Sequence, residues 1–148
     1  MSNANDKNKN TSPNKDIYDL EHRKEAEEHW NQVPGVVTYT GEIKLISRNE
    51  LKEKLDRGDD FKLVMTYHEW AYRALHIPGS INIYTKEDAL AVLDPSDEIV
   101  VYCTNVRCQA SAKAVRILVS HGFKNVRRYA GGLQDWEQAG YPLEGDRA

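Results

Sequence analysis

Long apolar runs are absent from this sequence of 148 residues. No stretch approaches the ~20 residues that a helix needs to cross a bilayer, so no helical span and no membrane partner is expected. Met1 to Trp30 also lacks the apolar segment of a secretory signal, which makes the cytoplasm the expected location. A basic excess is missing as well: 20 Lys and Arg face 23 Asp and Glu, for a formal net charge of -3. Nucleic-acid backbones are held by clustered positive charge, so nucleic acid is not an expected partner. Cysteine is scarce. Two residues, Cys103 and Cys108, cannot build the disulfide framework of a small secreted domain. With the five histidines they show no recognised ligand spacing, and neither a metal nor a cofactor is expected.

What is present divides the chain in two. Residues 1–37 read as a flexible N-terminal arm carrying a short helix, and residues 38–148 as one α/β domain. The first fifteen residues are rich in Asn and Lys and hold no large apolar side chain beyond Met1, too little to offset ordering entropy. Asp16 to Trp30 is charged and helix-prone, with Arg23/Glu27 and Lys24/Glu28 one turn apart. Its apolar positions, Ile17, Leu20 and Trp30, are too sparse for a continuous core-facing stripe, so the segment is expected to lie against the domain or to act as a loose arm, and a truncated chain starting near Pro34 is expected to fold. Beyond Thr38 the pattern becomes regular. Ile43-Lys44-Leu45-Ile46 alternates like a short strand. Ser47 and Glu50 form a capping box for a helix that Gly58 stops. Phe61–Thr66, Ile81–Ile83, Glu98–Tyr102 and Val126–Tyr129 read as strands, separated by helices around Trp70–Leu75, after Thr85, from Ala110 to His121 and around Trp136. This alternation predicts a mostly parallel central sheet with helices on both faces.

Ligands of such sheets bind beyond the carboxyl ends of strands, where loops enter helices. Val100-Val101-Tyr102-Cys103 puts a cysteine at that point, ahead of a helix beginning near Gln109 or Ala110. Unpaired amides and the positive end of the helix dipole favour a thiolate there, which makes Cys103 the candidate nucleophile. Thr104, Asn105, Val106, Arg107 and Gln109 then form a candidate cradle whose N–H groups suit a persulfide, a phosphate or an arsenate, with Arg107 attracting an anion. Tyr67, Trp70, Arg73 and His76 are candidates for the rim of the pocket. His76, ahead of the Ile77-Pro78-Gly79 turn, equally suits a structural hydrogen bond.

Four motifs carry a family resemblance: His76-Ile77-Pro78-Gly79-Ser80-Ile81-Asn82-Ile83, Ile99-Val100-Val101-Tyr102-Cys103, Gly122-Phe123-Lys124-Asn125-Val126 and Gly131-Gly132-Leu133-Gln134-Asp135-Trp136. In order and spacing, from about Thr38 to Glu144, the chain resembles the rhodanese-like (sulfurtransferase) domain. The resemblance implies a rhodanese-like α/β fold and an enzyme in which Cys103 takes sulfane sulfur as a persulfide. The donor is then a small molecule such as thiosulfate or a persulfide, and the acceptor a thiol or a carrier protein.

Three departures qualify what carries over. Met65-Thr66-Tyr67 stands where the family usually has Asp-Val-Arg. The cysteine loop, Cys103-Thr104-Asn105-Val106-Arg107-Cys108-Gln109-Ala110-Ser111, is about two residues longer than in common single-domain members. Enlarged loops occur in dual-specificity phosphatases and arsenate reductases of the same family, so that chemistry is the alternative enzyme reading. A non-catalytic regulatory or binding module is the other alternative. Finally, Cys108 stands where the common loop ends in arginine, which resembles a subgroup with two loop cysteines. Cys108 is thus either a resolving thiol for Cys103 or a packing residue in the first helical turn. A bridge between them requires Cα atoms within about 7 Å.

Overall fold

The computed structural model describes residues 14–31, 39 and 41–148. Among these described residues, six helices and four strands follow one another as α1 (Leu20–Glu28), α2 (Arg48–Arg57), β1 (Lys62–Met65), α3 (Glu69–Ala74), β2 (Ser80–Asn82), α4 (Lys86–Val92), β3 (Ile99–Tyr102), α5 (Ala110–Ser120), β4 (Val126–Tyr129) and α6 (Gly132–Gln138). Local chemistry accounts for several boundaries. Ser47 Oγ accepts the Glu50 N–H to open α2, and Gly58, at φ 72°, closes it in the left-handed region. Thr85 Oγ1 accepts the Asp88 N–H at the start of α4.

The strands lie in the order β2-β1-β3-β4, and all three pairings are parallel. The α/β reading therefore holds. All four residues of β3 are buried. Because successive strand side chains point to opposite faces, both faces of the sheet are covered at its centre. The Ile43–Ile46 segment falls short of a strand. It touches β4 through a single parallel bridge, Leu45 to Arg128, framed by Ile46 N–H to Arg128 O at 3.1 Å and Arg128 N–H to Lys44 O at 2.8 Å. Among the described residues, no helix is long and apolar enough to cross a membrane.

The N-terminal segment takes the first of its two expected placements, against the domain, and is not a loose arm. Residues 1–13 lie outside the described residues, but Ile17, Tyr18, Ala26 and Trp30 are buried in the same core as the sheet. The Tyr67 hydroxyl donates to Ile17 O at 2.8 Å, Lys113 Nζ donates to Asn31 Oδ1 at 2.5 Å, and Arg147 holds Asp16 through two bonds of 2.8 and 3.1 Å. The Tyr18 hydroxyl donates to Glu137 Oε1 on α6 at 3.1 Å. A core lying wholly beyond Pro34 is thus corrected: α1 and its flanks complete it.

Candidate active site

β3 is an inner strand, so the residue that leaves its carboxyl end starts from the most rigid part of the sheet. That residue is Cys103, 1% exposed, and the loop from it runs into α5 at Ala110. Cys108 is fully buried and is joined to Cys103 as a disulfide, with Cα atoms 6.2 Å apart. The two thiols are therefore within the reach a reversible bridge requires.

Both flanks of the loop are fixed by its neighbours. The first amides of α6 have no intrahelical partner, and two of them bond the loop instead: Leu133 N–H to Cys103 O at 2.9 Å and Gln134 N–H to Thr104 O at 2.8 Å. This close approach explains the Gly131-Gly132 motif. Gly132 sits at φ 68°, and a Cβ there would lie 2.7 Å from Cys103 O. From β4, Arg128 donates to Cys108 O at 3.1 Å and to Ser111 Oγ at 2.8 Å. Burial draws the Arg128 pKa below its ordinary value, and Arg116 adds to the effect. Arg128 is not among the sequence candidates, and only its place one strand over, opposite Val101, brings it under the loop.

The His76–Ser80 motif, which leads into the start of β2, acts on β3 as scaffold. Ile77 N–H donates to the Tyr102 hydroxyl at 3.1 Å, and Ser80 Oγ lies 2.9 Å from that hydroxyl and donates to Ile77 O at 2.6 Å. The turn thereby clamps the last residue of β3 before Cys103.

The cradle is only partly open in this state. Arg107 N–H bonds Asn105 Oδ1 at 3.1 Å, Cys108 N–H bonds Asn105 O at 3.1 Å, and Gln109 N–H bonds Glu27 Oε2 at 2.8 Å. The amides of Thr104, Asn105 and Val106 have no acceptor among the described residues. So the Arg107, Cys108 and Gln109 amides of the loop are already engaged, the last by a carboxylate from α1.

Beside the loop lies a cleft of about 400 Å³ lined by Tyr18, Arg23, Asn105, Val106, Arg107 and Gln134. Its volume falls within the range of small-molecule sites. Arg23 Nε is buried without a partner, and neither Arg23 nor Arg107 has a hydrogen-bonding or ion-pairing partner for its guanidinium among the described residues. Two unneutralised cations facing one cleft favour an anionic occupant. Arg23 and Tyr18 escape the sequence reading, because no spacing along the chain signals that α1 returns to the loop.

The four rim candidates do not line this cleft. Tyr67 is corrected to an interior residue, fully buried and bonded to Ile17 O. Burial raises its phenol pKa well above the ordinary value. Trp70, 38% exposed, packs its ring 5.0 Å from His22. Arg73 pairs with Glu69 one turn away on α3. His76 stacks on Tyr72 with ring centroids 4.0 Å apart, and its Nδ1 lies 2.6 Å from Tyr72 O. The hydrogen-bonding role suits it better than a place at the rim.

Comparisons with known proteins agree with this architecture. An HTH-type transcriptional regulator of Mycobacterium tuberculosis is 38% identical over 101 residues, which cover 67% of this chain and 44% of the regulator. The chain thus spans less than half the length of that relative. The thiosulfate:glutathione sulfurtransferase of Saccharomyces cerevisiae is 23% identical over 127 residues, covering 75% of this chain and 90% of that protein. Among solved structures, a Bacillus halodurans protein superposes with a TM-score of 0.65 at 25% identity, covering 70% of this chain and 78% of its own. The rhodanese-like domain of an Anabaena protein gives 0.62 at 29% identity, covering 72% and 82%. A family model, that of the rhodanese-like domain, matches residues 47–139, from the cap of α2 to the end of α6 and so across the whole sheet and the cysteine loop. By that match and that fold, the chain belongs to the rhodanese-like domain family.

Proposed function

We propose that the protein moves sulfane sulfur from a small anionic donor, of the thiosulfate or persulfide class, to a thiol acceptor through a persulfide on Cys103. The observation that carries this reading is the cysteine at the end of the central strand beside a cleft with two unpaired guanidiniums. With thiosulfate, the Cys103 thiolate attacks the outer sulfur, a Cys103 S–S bond forms, and sulfite leaves with the electron pair of the broken bond. An acceptor thiolate then attacks the outer sulfur of the persulfide, taking it as a new persulfide and returning Cys103 to the thiolate.

Cys108 gives the loop a second exit. Its thiolate attacks the inner sulfur of the persulfide, hydrosulfide leaves, and the Cys103–Cys108 disulfide remains. An external dithiol reductant then restores both thiols by exchange, itself becoming a disulfide. The bridge between these residues is consistent with that oxidised state. Phosphate or arsenate chemistry has less support, because the Arg107, Cys108 and Gln109 amides are already bonded. A regulatory module is the second reading, favoured by the likeness to a transcriptional regulator.

The test is a donor panel read by intact mass on reduced wild type, Cys103→Ser and Cys108→Ser. A gain of one sulfur on wild type and Cys108→Ser, but not on Cys103→Ser, supports transfer. Wild type should then pass to the disulfide with sulfide release while Cys108→Ser keeps its persulfide. Arg23→Ala and Arg107→Ala should each raise KM for the anionic donor about tenfold with little change in Tm, as lost charge-assisted bonds would. No sulfur gain from any donor, with disulfide formation by oxidants alone, would favour the regulatory reading.

A further inference from the structure

A second cluster of chemically capable side chains lies apart from the cysteine loop, where α1 meets the start of α3. His22 and Glu25 are three residues apart on one face of α1, and His22 Nδ1 lies 3.0 Å from Glu25 Oε1. Across the junction, His68 Nε2 lies 3.6 Å from the same carboxylate oxygen. One ligand atom from each of the three residues falls within 4.8 Å of the others. Around a tetrahedral zinc ion, bonds of about 2.0–2.2 Å separate neighbouring ligand atoms by roughly 3.3 Å. The two distances to Glu25 Oε1 bracket that spacing.

We propose that His22, Glu25 and His68 bind one zinc ion that fastens α1 to the domain. Two imidazoles and one carboxylate suit zinc better than calcium or magnesium, which prefer all-oxygen sets. His68 occupies the N-cap position of α3, yet its side chain makes no capping bond. Its Nε2 lies 2.8 Å from His22 O, an arrangement in which Nε2 carries the proton. Metal binding at Nε2 moves that proton to Nδ1, so the imidazole stays neutral and the His22 carbonyl gives up its donor. Aromatic rings provide an apolar shell: Trp70 lies 5.0 Å from His22, and Tyr84 lies 4.9 Å from His68. His22 and Glu25 remain accessible to solvent, which leaves room for water as the fourth ligand. Spacing along the chain does not reveal this site, because two ligands precede the family-matched residues and the third lies within them. The inference does not rest on sulfur transfer.

The experiment uses the tag-free full chain with Cys103 and Cys108 kept as the disulfide, so that free thiols do not compete. After treatment with a chelator, zinc chloride is titrated by calorimetry. One equivalent should bind, and a hundredfold excess over Kd should raise Tm by about 5 °C or more. His22→Ala and Glu25→Gln, both at solvent-accessible positions, should weaken binding about tenfold or more. A Cys103→Ser/Cys108→Ser double variant should bind as wild type does, and cobalt should give the visible absorption of a tetrahedral ion. Absence of a stoichiometric site would overturn the proposal. So would binding that ignores the His22 and Glu25 variants, or binding that only the cysteine changes abolish.

Discussion

Gly132→Ala is the sharpest probe of how the cysteine loop is held. The added Cβ would lie 2.7 Å from Cys103 O, 2.9 Å from the Thr104 carbonyl carbon and 3.0 Å from Asn105 N. All three are backbone atoms of the loop, so no side chain can swing away to make room. Two costs combine: about 1–2 kcal/mol for an L-residue in the left-handed region, and about 1–3 kcal/mol for overpacking. Gly140→Ala separates them. Gly140 sits at φ 76°, and a Cβ there would meet nothing within 4 Å, so it carries the conformational cost alone. The difference between the variants should be about 1–3 kcal/mol in urea unfolding, or roughly 4–12 °C in Tm at this chain length. Displacing Cys103 and Thr104 should also alter iodoacetamide alkylation of reduced Cys103 in Gly132→Ala but not in Gly140→Ala. If the two variants match in stability and in alkylation, the contact between α6 and the loop is not what positions the cysteine.

Three further outcomes rest on the same geometry. Trp30→Ala, which empties a fully buried site, should cost about 3–5 kcal/mol in chemical unfolding; a loss under about 1 kcal/mol would return the N-terminal segment to the status of a loose arm. Glu27→Gln should lower KM for anionic donors, because it removes a negative charge from the Gln109 amide at the head of α5 while keeping an acceptor; an unchanged KM would place Glu27 outside the anion's reach. Burial raises the phenol pKa of Tyr102 and Tyr129 above the ordinary 10.0. Their contribution to stability is therefore complete below about pH 10 and lost as pH rises toward the folded values, since the unfolded chain ionises first. An ultraviolet titration of the native protein in which all tyrosines ionise near pH 10 would refute this.

The parts of the molecule that are legible in the sequence are those whose cause is local. Ser47 with Glu50, Thr85 with Asp88 and the left-handed Gly58 announce helix ends within a few residues, and the chain obeys them. Ile99-Val100-Val101-Tyr102 reads as a buried strand, and the cysteine at its end follows. The misread parts depend on distant partners. Ile43–Ile46 alternates properly, but among the described residues its backbone pairs with Arg128 alone, so it forms one bridge. Tyr67 reads as a rim residue only because Ile17, fifty positions earlier, is what closes over it. α1 has too few apolar residues to predict burial, yet Ile17, Tyr18, Ala26 and Trp30 each find a place in a core assembled by later segments.

That last contact pattern has a consequence for how the chain is made. On the ribosome α1 and its flanks emerge before the sheet they pack on, and Glu137 and Arg147, which grip Tyr18 and Asp16, follow 119 and 131 residues after them. A nine-residue helix is marginal in isolation, so Ile17, Tyr18 and Trp30 stay uncovered until the later segments of the core have been made. Within this domain the segment made before the sheet thus docks after it, and Trp30 is exposed on the nascent chain in the interval.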